Sequence, residues 1–60
     1  MQILIKLVKR EESTILNGVI SIYDNTEIQY YKFNGVNEDG LPYCFVCPYK
    51  DIEYFRKVGK

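Results

Sequence analysis

The sequence predicts a mainly β fold: one small domain built as a strongly bent five-stranded barrel, with a single short turn before its last strand. Three observations carry that expectation. Apolar residues alternate with period two in several short runs, and no run shows the 3.6-residue period of a long helix. Gly, Asn, Asp and Pro fall between those runs, where the chain must turn. The densest apolar run, residues 43–55, is interrupted by Pro48 and then by the polar step Lys50-Asp51, so it divides into strand, tight turn and strand. Closing such a sheet on itself removes edges that an open sheet leaves unpaired.

In chain order, residues 2–9 form the first strand, with Ile3, Ile5 and Leu7 on one face and Leu4, Lys6 and Val8 on the other. Arg10-Glu11-Glu12-Ser13 is a polar turn. Residues 14–23 make the second strand, and Asn17-Gly18 inside it has two readings. It is either a two-residue hairpin turn or a bulge in one long, bent strand. The bulge is preferred, because Thr14-Ile15-Leu16 is too short to pair usefully alone. Asp24-Asn25 turns the chain into the third strand, residues 27–33, where Ile28, Tyr30 and Lys32 oppose Gln29, Tyr31 and Phe33. Residues 34–40, rich in Gly, Asn and Asp, are the one long loop. The fourth strand, residues 41–47, is aromatic, β-branched and uncharged. Pro48 ends its pairing for want of an N–H, and residues 52–57 are the fifth strand. Five short strands with a tight turn before the last suggest a small barrel of the SH3-like or Sm-like kind.

A chain of 60 residues is one domain. At that size only about 60% of the unfolded surface is hidden on folding, so six Tyr and three Phe must supply much of the apolar area. Formal net charge is zero, which argues against a protein held to phosphate mainly by bulk positive charge. No stretch approaches the ~18 apolar residues of a membrane span. The apolar run at the N-terminus is short and carries Lys6, unlike a signal peptide. A soluble, cytoplasmic protein is expected. Ile, Lys, Asn, Tyr and Phe are heavily used and have AT-rich codons, which points to an AT-rich bacterial or phage genome.

The run Leu16-Asn17-Gly18-Val19-Ile20-Ser21-Ile22-Tyr23-Asp24 resembles the Gly-x-hydrophobic-x-x-aromatic-Asp signature of Sm-like proteins. Tyr49-Lys50-Asp51-Ile52 is similar to the Tyr-Lys-His-x-Ile run of the bacterial Sm-like RNA chaperones, with its Ile one position early. The resemblance implies a barrel over the whole span of strands, ring assembly and binding of uridine-rich and adenine-rich RNA. It places Lys50 at the RNA-contacting Lys and Asn25 at a polar base-contacting position. Asp51 stands where the family has His, and a carboxylate beside a phosphate path repels it. The resemblance therefore bears on architecture more than on RNA.

Cys44-Phe45-Val46-Cys47 has CxxC spacing. A redox pair opens a helix, whose N-terminus lowers the first thiol's pKa, whereas Phe, Val and the following Pro48 read as strand. Side chains three apart on a strand face opposite ways, so a regular strand keeps the two sulfurs from bridging. Zinc needs four ligands, and with no His it could be held here only by pooling Cys44 and Cys47 across a dimer or by adding carboxylate or water. The plainer reading is one core thiol and one partly exposed thiol. Absence of His also removes the usual general base and the Ser-His or Cys-His pair. The carboxylate pairs Asp24/Glu27, Glu38/Asp39 and Asp51/Glu53 lie in or beside expected turns, where solvated carboxylates are ordinary. No catalytic residue and no cofactor is expected.

Pairing of the first and last strands would bring Lys6, Lys9 and Arg10 near Arg56 and Lys57, a basic side with an acidic rim of loops. Such a side is either a patch for an acidic surface or a solvated face. The tyrosines are the other handle, because Tyr is both a favoured interface residue and a stacking platform. They can also simply cover a thin core, each hydroxyl reaching water. The first expectation is a non-enzymatic module acting through protein–protein contacts, as a phage or mobile-element protein binding a host protein or as a homo-oligomer. Tyr31, Tyr43, Tyr49 and Tyr54 would make the contact, with Arg56 and Lys57 at its rim. The alternative is an Sm-like nucleic-acid binder using Lys6, Lys9, Arg10, Lys50 and Arg56. A second alternative is a dimer bridged by zinc through Cys44 and Cys47.

Overall fold

Six strands in two antiparallel sheets of three make up the computed structural model, which describes residues 1–59. They are β1 (Gln2–Leu7), β2 (Thr14–Leu16), β3 (Val19–Asn25), β4 (Tyr30–Val36), β5 (Pro42–Pro48) and β6 (Ile52–Val58). One sheet has the order β2-β1-β6 and the other β3-β4-β5. A single 3₁₀ turn, Tyr49–Asp51, carries the chain from β5 in one sheet to β6 in the other. Among the described residues no helix is long and apolar enough to cross a membrane.

Period two decides which side chains meet. Ile3 and Ile5 of β1 are almost fully buried, as are Val19 of β3 and Phe33 of β4. Leu7, Leu16, Ile22, Tyr31, Phe45, Ile52 and Phe55 pack around them. Phe55 from one sheet meets Phe33 edge-on at 5.2 Å and Tyr31 edge-on at 4.9 Å from the other. Offset and edge-to-face ring contacts of this kind add to area burial. Aromatic bulk joins the two sheets where aliphatic residues alone would leave a thin core. The first and last strands do pair, from Gln2 opposite Val58 to Leu7 opposite Ile52.

The expected five strands are six, because the chain breaks at Asn17-Gly18. The hairpin reading fails: β2 pairs with β1, and β3 pairs with β4. The continuous bulged strand fails too, since Thr14–Leu16 does pair alone, with Ile3, Leu4 and Ile5. A three-residue strand suffices there because Leu16 is anchored against the core. Gly18 makes the corner at φ +68°. A Cβ at that position would lie far inside contact distance of the Val36 carbonyl oxygen. That closeness comes from the bond in which the Val36 N–H donates to the Gly18 carbonyl at 3.0 Å. The Met1 ammonium and the Val19 carbonyl, and the Val19 N–H and the Met1 carbonyl, exchange two bonds of 2.9 Å across the same corner.

Two further boundaries move. Asp24 and Asn25 end β3, and the turn follows at residues 26–29. There the Asn25 side-chain oxygen accepts from the Glu27 and Ile28 amides, and Gln29 takes φ +59°. This local capping withdraws residues 27–29 from the expected third strand. Asn34, Gly35 and Val36 extend β4 instead of opening the loop, because they continue to pair with Cys44, Tyr43 and Pro42. The remaining loop closes through the Asn37 side-chain oxygen, which accepts from the Asp39 and Leu41 amides.

Candidate functional site

Aromatic residues from three elements converge beside the 3₁₀ turn. Tyr31 alternates inward on β4, next to Phe33. Pro48 cannot continue the ladder, so the chain leaves β5 in extended conformation and turns through Tyr49–Asp51. The Tyr49 N–H donates to the Gln29 carbonyl at 2.8 Å, which ties the turn to the end of the β3–β4 connection. The Tyr49 ring then lies 4.8 Å from Tyr31. Along β6 the register with β1 shifts between Lys6 and Leu7, leaving Glu53 without its own partner on β1. A bulge of this kind re-aims the side chains around it. Tyr31, Tyr49, Ile52, Glu53, Tyr54 and Phe55 together line a cleft of about 360 Å³.

The Tyr49 hydroxyl donates to the Asp24 carboxylate of β3. That bond, first of all, pushes the hydroxyl pKa up to about 12. Lys6 Nζ lies 3.0 Å from Glu53 Oε2 and also donates to the Leu7 carbonyl at 2.9 Å. Glu53, half-exposed at the wall of the cleft, is thereby already paired with Lys6, which lies outside the lining. On the other side of Tyr49 a second hollow of about 250 Å³ is lined by Ile28, Gln29, Tyr30, Pro48, Tyr49 and Lys50. Lys50 belongs to that hollow and not to the aromatic cleft.

Of the sequence-derived partner residues, Tyr31, Tyr49 and Tyr54 share this cleft, and Tyr43 does not. Tyr43 sits by Gly35, and its hydroxyl donates to the Asn17 carbonyl, so it braces the β2–β3 corner. Arg56 and Lys57 are exposed on β6 opposite Leu4 and Ile3. The expected basic side is divided. Lys6 is paired with Glu53. Lys9 and Arg10 border a hollow of about 190 Å³ that also contains Leu7, Cys47 and Asp51. Asn25, placed by resemblance at a base-contacting position, uses its side chain to cap the following turn.

The cysteines lie on opposite faces of β5, with Cys44 exposed and Cys47 buried, and both are free thiols. Burial, with Asp51 adding to it, pushes the Cys47 thiol pKa up, away from the reactive thiolate. The two sulfurs are not offered to one metal on one face, so an interface between copies would have only Cys44 at its surface. Among the described residues no group of three or more Cys, Asp or Glu is arranged to hold a metal ion.

Sequence reasoning missed Glu53 and Phe55 as parts of the site. Phe55 was legible as an apolar strand residue, but its meeting with Tyr31 spans two sheets. Glu53 joins through a register shift, which no local pattern announces. Comparison with protein-family models, curated proteins and solved structures finds no match.

Proposed function

We propose that this chain is a non-enzymatic binding module that holds a protein partner in the cleft between β4, the 3₁₀ turn and β6. One observation carries the reading: Tyr31, Tyr49, Tyr54 and Phe55, drawn from three elements, line a single open cleft. Tyr54 is 49% exposed there, and an exposed Tyr is a favoured interface residue. The framework we propose is a bent SH3-like or Sm-like barrel. Support for it comes from the corner at Gly18, the 3₁₀ turn before the last strand and the pairing of first and last strands. In one concrete version a phage or mobile-element protein occupies a protein of its host; in another the partner is a second copy.

RNA binding is the second reading, and the hollow where Lys50 stands beside Tyr30 and Tyr49 favours it. Against it weigh the zero net charge and the interleaving of Glu53 and Asp51 among Lys6, Lys9 and Arg10. Affinity capture from the source cells with the tagged chain and its Tyr54→Ala variant, with and without nuclease, tests both. A protein retained after nuclease and lost with Tyr54→Ala supports the cleft. Capture that disappears on nuclease treatment, together with a steep loss of binding between low and physiological salt, favours RNA and sinks the first reading.

A further inference from the structure

The cleft has a charge pattern as well as rings. Its lining holds four aromatic residues, one carboxylate and no cation. The Tyr49 hydroxyl donates to a second carboxylate, Asp24, which lies outside the lining. A phenol that donates to a carboxylate has an electron-richer ring, so this bond strengthens the negative face that Tyr49 presents. Lys6 engages Glu53 through Oε2 and leaves the Glu53 side chain half-exposed.

Resting on the reading that a protein partner fills the cleft, we infer that the group it takes is cationic: an Arg or Lys side chain from a basic segment of the partner. Ring faces attract a cation, and the Glu53 carboxylate at the wall, shared with Lys6, supplies an opposite charge. An acidic segment would meet the Glu53 carboxylate, and the cation beside it, Lys6, is already paired with Glu53 and lies outside the lining. A purely apolar one would cover Glu53 without engaging it, at a desolvation cost. Arg suits the site better than Lys. Its guanidinium is planar, weakly hydrated, able to stack on a Tyr ring and able to donate to a carboxylate at its edge.

The test is a titration of the backbone amide NMR spectrum with the capped pentapeptide Gly-Ser-Arg-Ser-Gly and with the same peptide carrying norleucine in place of Arg. The expected result is a saturable shift of the Ile52, Glu53, Tyr54 and Phe55 amides with the Arg peptide alone. Tyr54→Ala and Glu53→Gln, both at exposed positions, each weaken that binding about two- to fivefold. Equal binding of the norleucine peptide at the same amides overturns the cation and leaves the cleft standing. Absence of shifts at these amides with the Arg peptide also overturns the cation. The cleft itself is then judged by whether Tyr54→Ala abolishes capture of the partner.

Discussion

Replacing Gly18 by Ala should destabilise the protein far more than the same change at Gly40, although both glycines have positive φ. Gly18 sits at +68° and Gly40 at +80°, so each substitution imposes a left-handed backbone on an L residue. That strain costs about 1–2 kcal/mol, and reduced freedom of the unfolded chain offsets about 0.4–1 kcal/mol of it. At Gly40 nothing lies within 4 Å of the new Cβ, so the balance of those two effects is the whole effect. At Gly18 the new methyl meets the Val36 carbonyl, a backbone group that cannot rotate away. Overpacking of this kind adds about 1–3 kcal/mol and strains the bond from the Val36 N–H to the Gly18 carbonyl. The net loss for Gly18→Ala is about 2–4 kcal/mol, against about 0.5–1 kcal/mol for Gly40→Ala. For 60 residues a total stability of roughly 3–9 kcal/mol is expected, so the first change is a large share of it. Urea unfolding followed by far-UV circular dichroism measures both, with a thermal shift of about 4–8 °C per kcal/mol as a check. Equal losses within about 0.5 kcal/mol, a difference too small for a backbone clash, would refute the closed corner between β2, β3 and the end of β4.

Two further outcomes follow from the site and from β5. Because the folded Tyr49 hydroxyl titrates at about 12 against an ordinary 10, its bond to Asp24 contributes fully below pH 10 and is lost as pH rises towards 12. Wild type should therefore lose stability over that window more steeply than Tyr49→Phe, and tyrosinate absorbance should show a late-titrating component that Tyr49→Phe lacks; parallel alkaline profiles would count against the bond. A thiol reagent should label one cysteine per native chain, at Cys44, and both only in denaturant. Peptide mapping that finds Cys47 labelled in the native state would mean that the inner face of β5 is open.

Legibility differed from element to element. The alternation of Ile3, Ile5 and Leu7 and the uncharged run of β5 mark strands in the sequence because packing there follows the local period. Pro48 marked the turn before β6 for an equally local reason, its missing N–H. The start of β4 was hidden. Ile28 reads as a strand residue, yet it is 63% exposed on a turn held by the Asn25 side chain. The end of β4 was hidden as well, since Asn34-Gly35 carries turn chemistry and is kept in the ladder by its partners on β5. In both places a nonlocal or side-chain hydrogen bond overrode composition.

Local sequence suffices for a β domain, most of its short strands, the turn after Pro48, one inner and one outer cysteine, and a surplus of tyrosine. Each of these depends on residues within a few positions of one another, where covalent geometry and the two-residue period act directly. Packing between distant strands assigns Thr14–Leu16 and Val19–Asn25 to different sheets. The same packing brings Tyr31, Tyr49 and Tyr54 into one cleft while Tyr43 braces a corner, and sets Lys6 against Glu53. Those outcomes depend on how two twisted sheets meet and on one register shift in β6. Contacts of that range are made by the chain as a whole, and no local stretch encodes them.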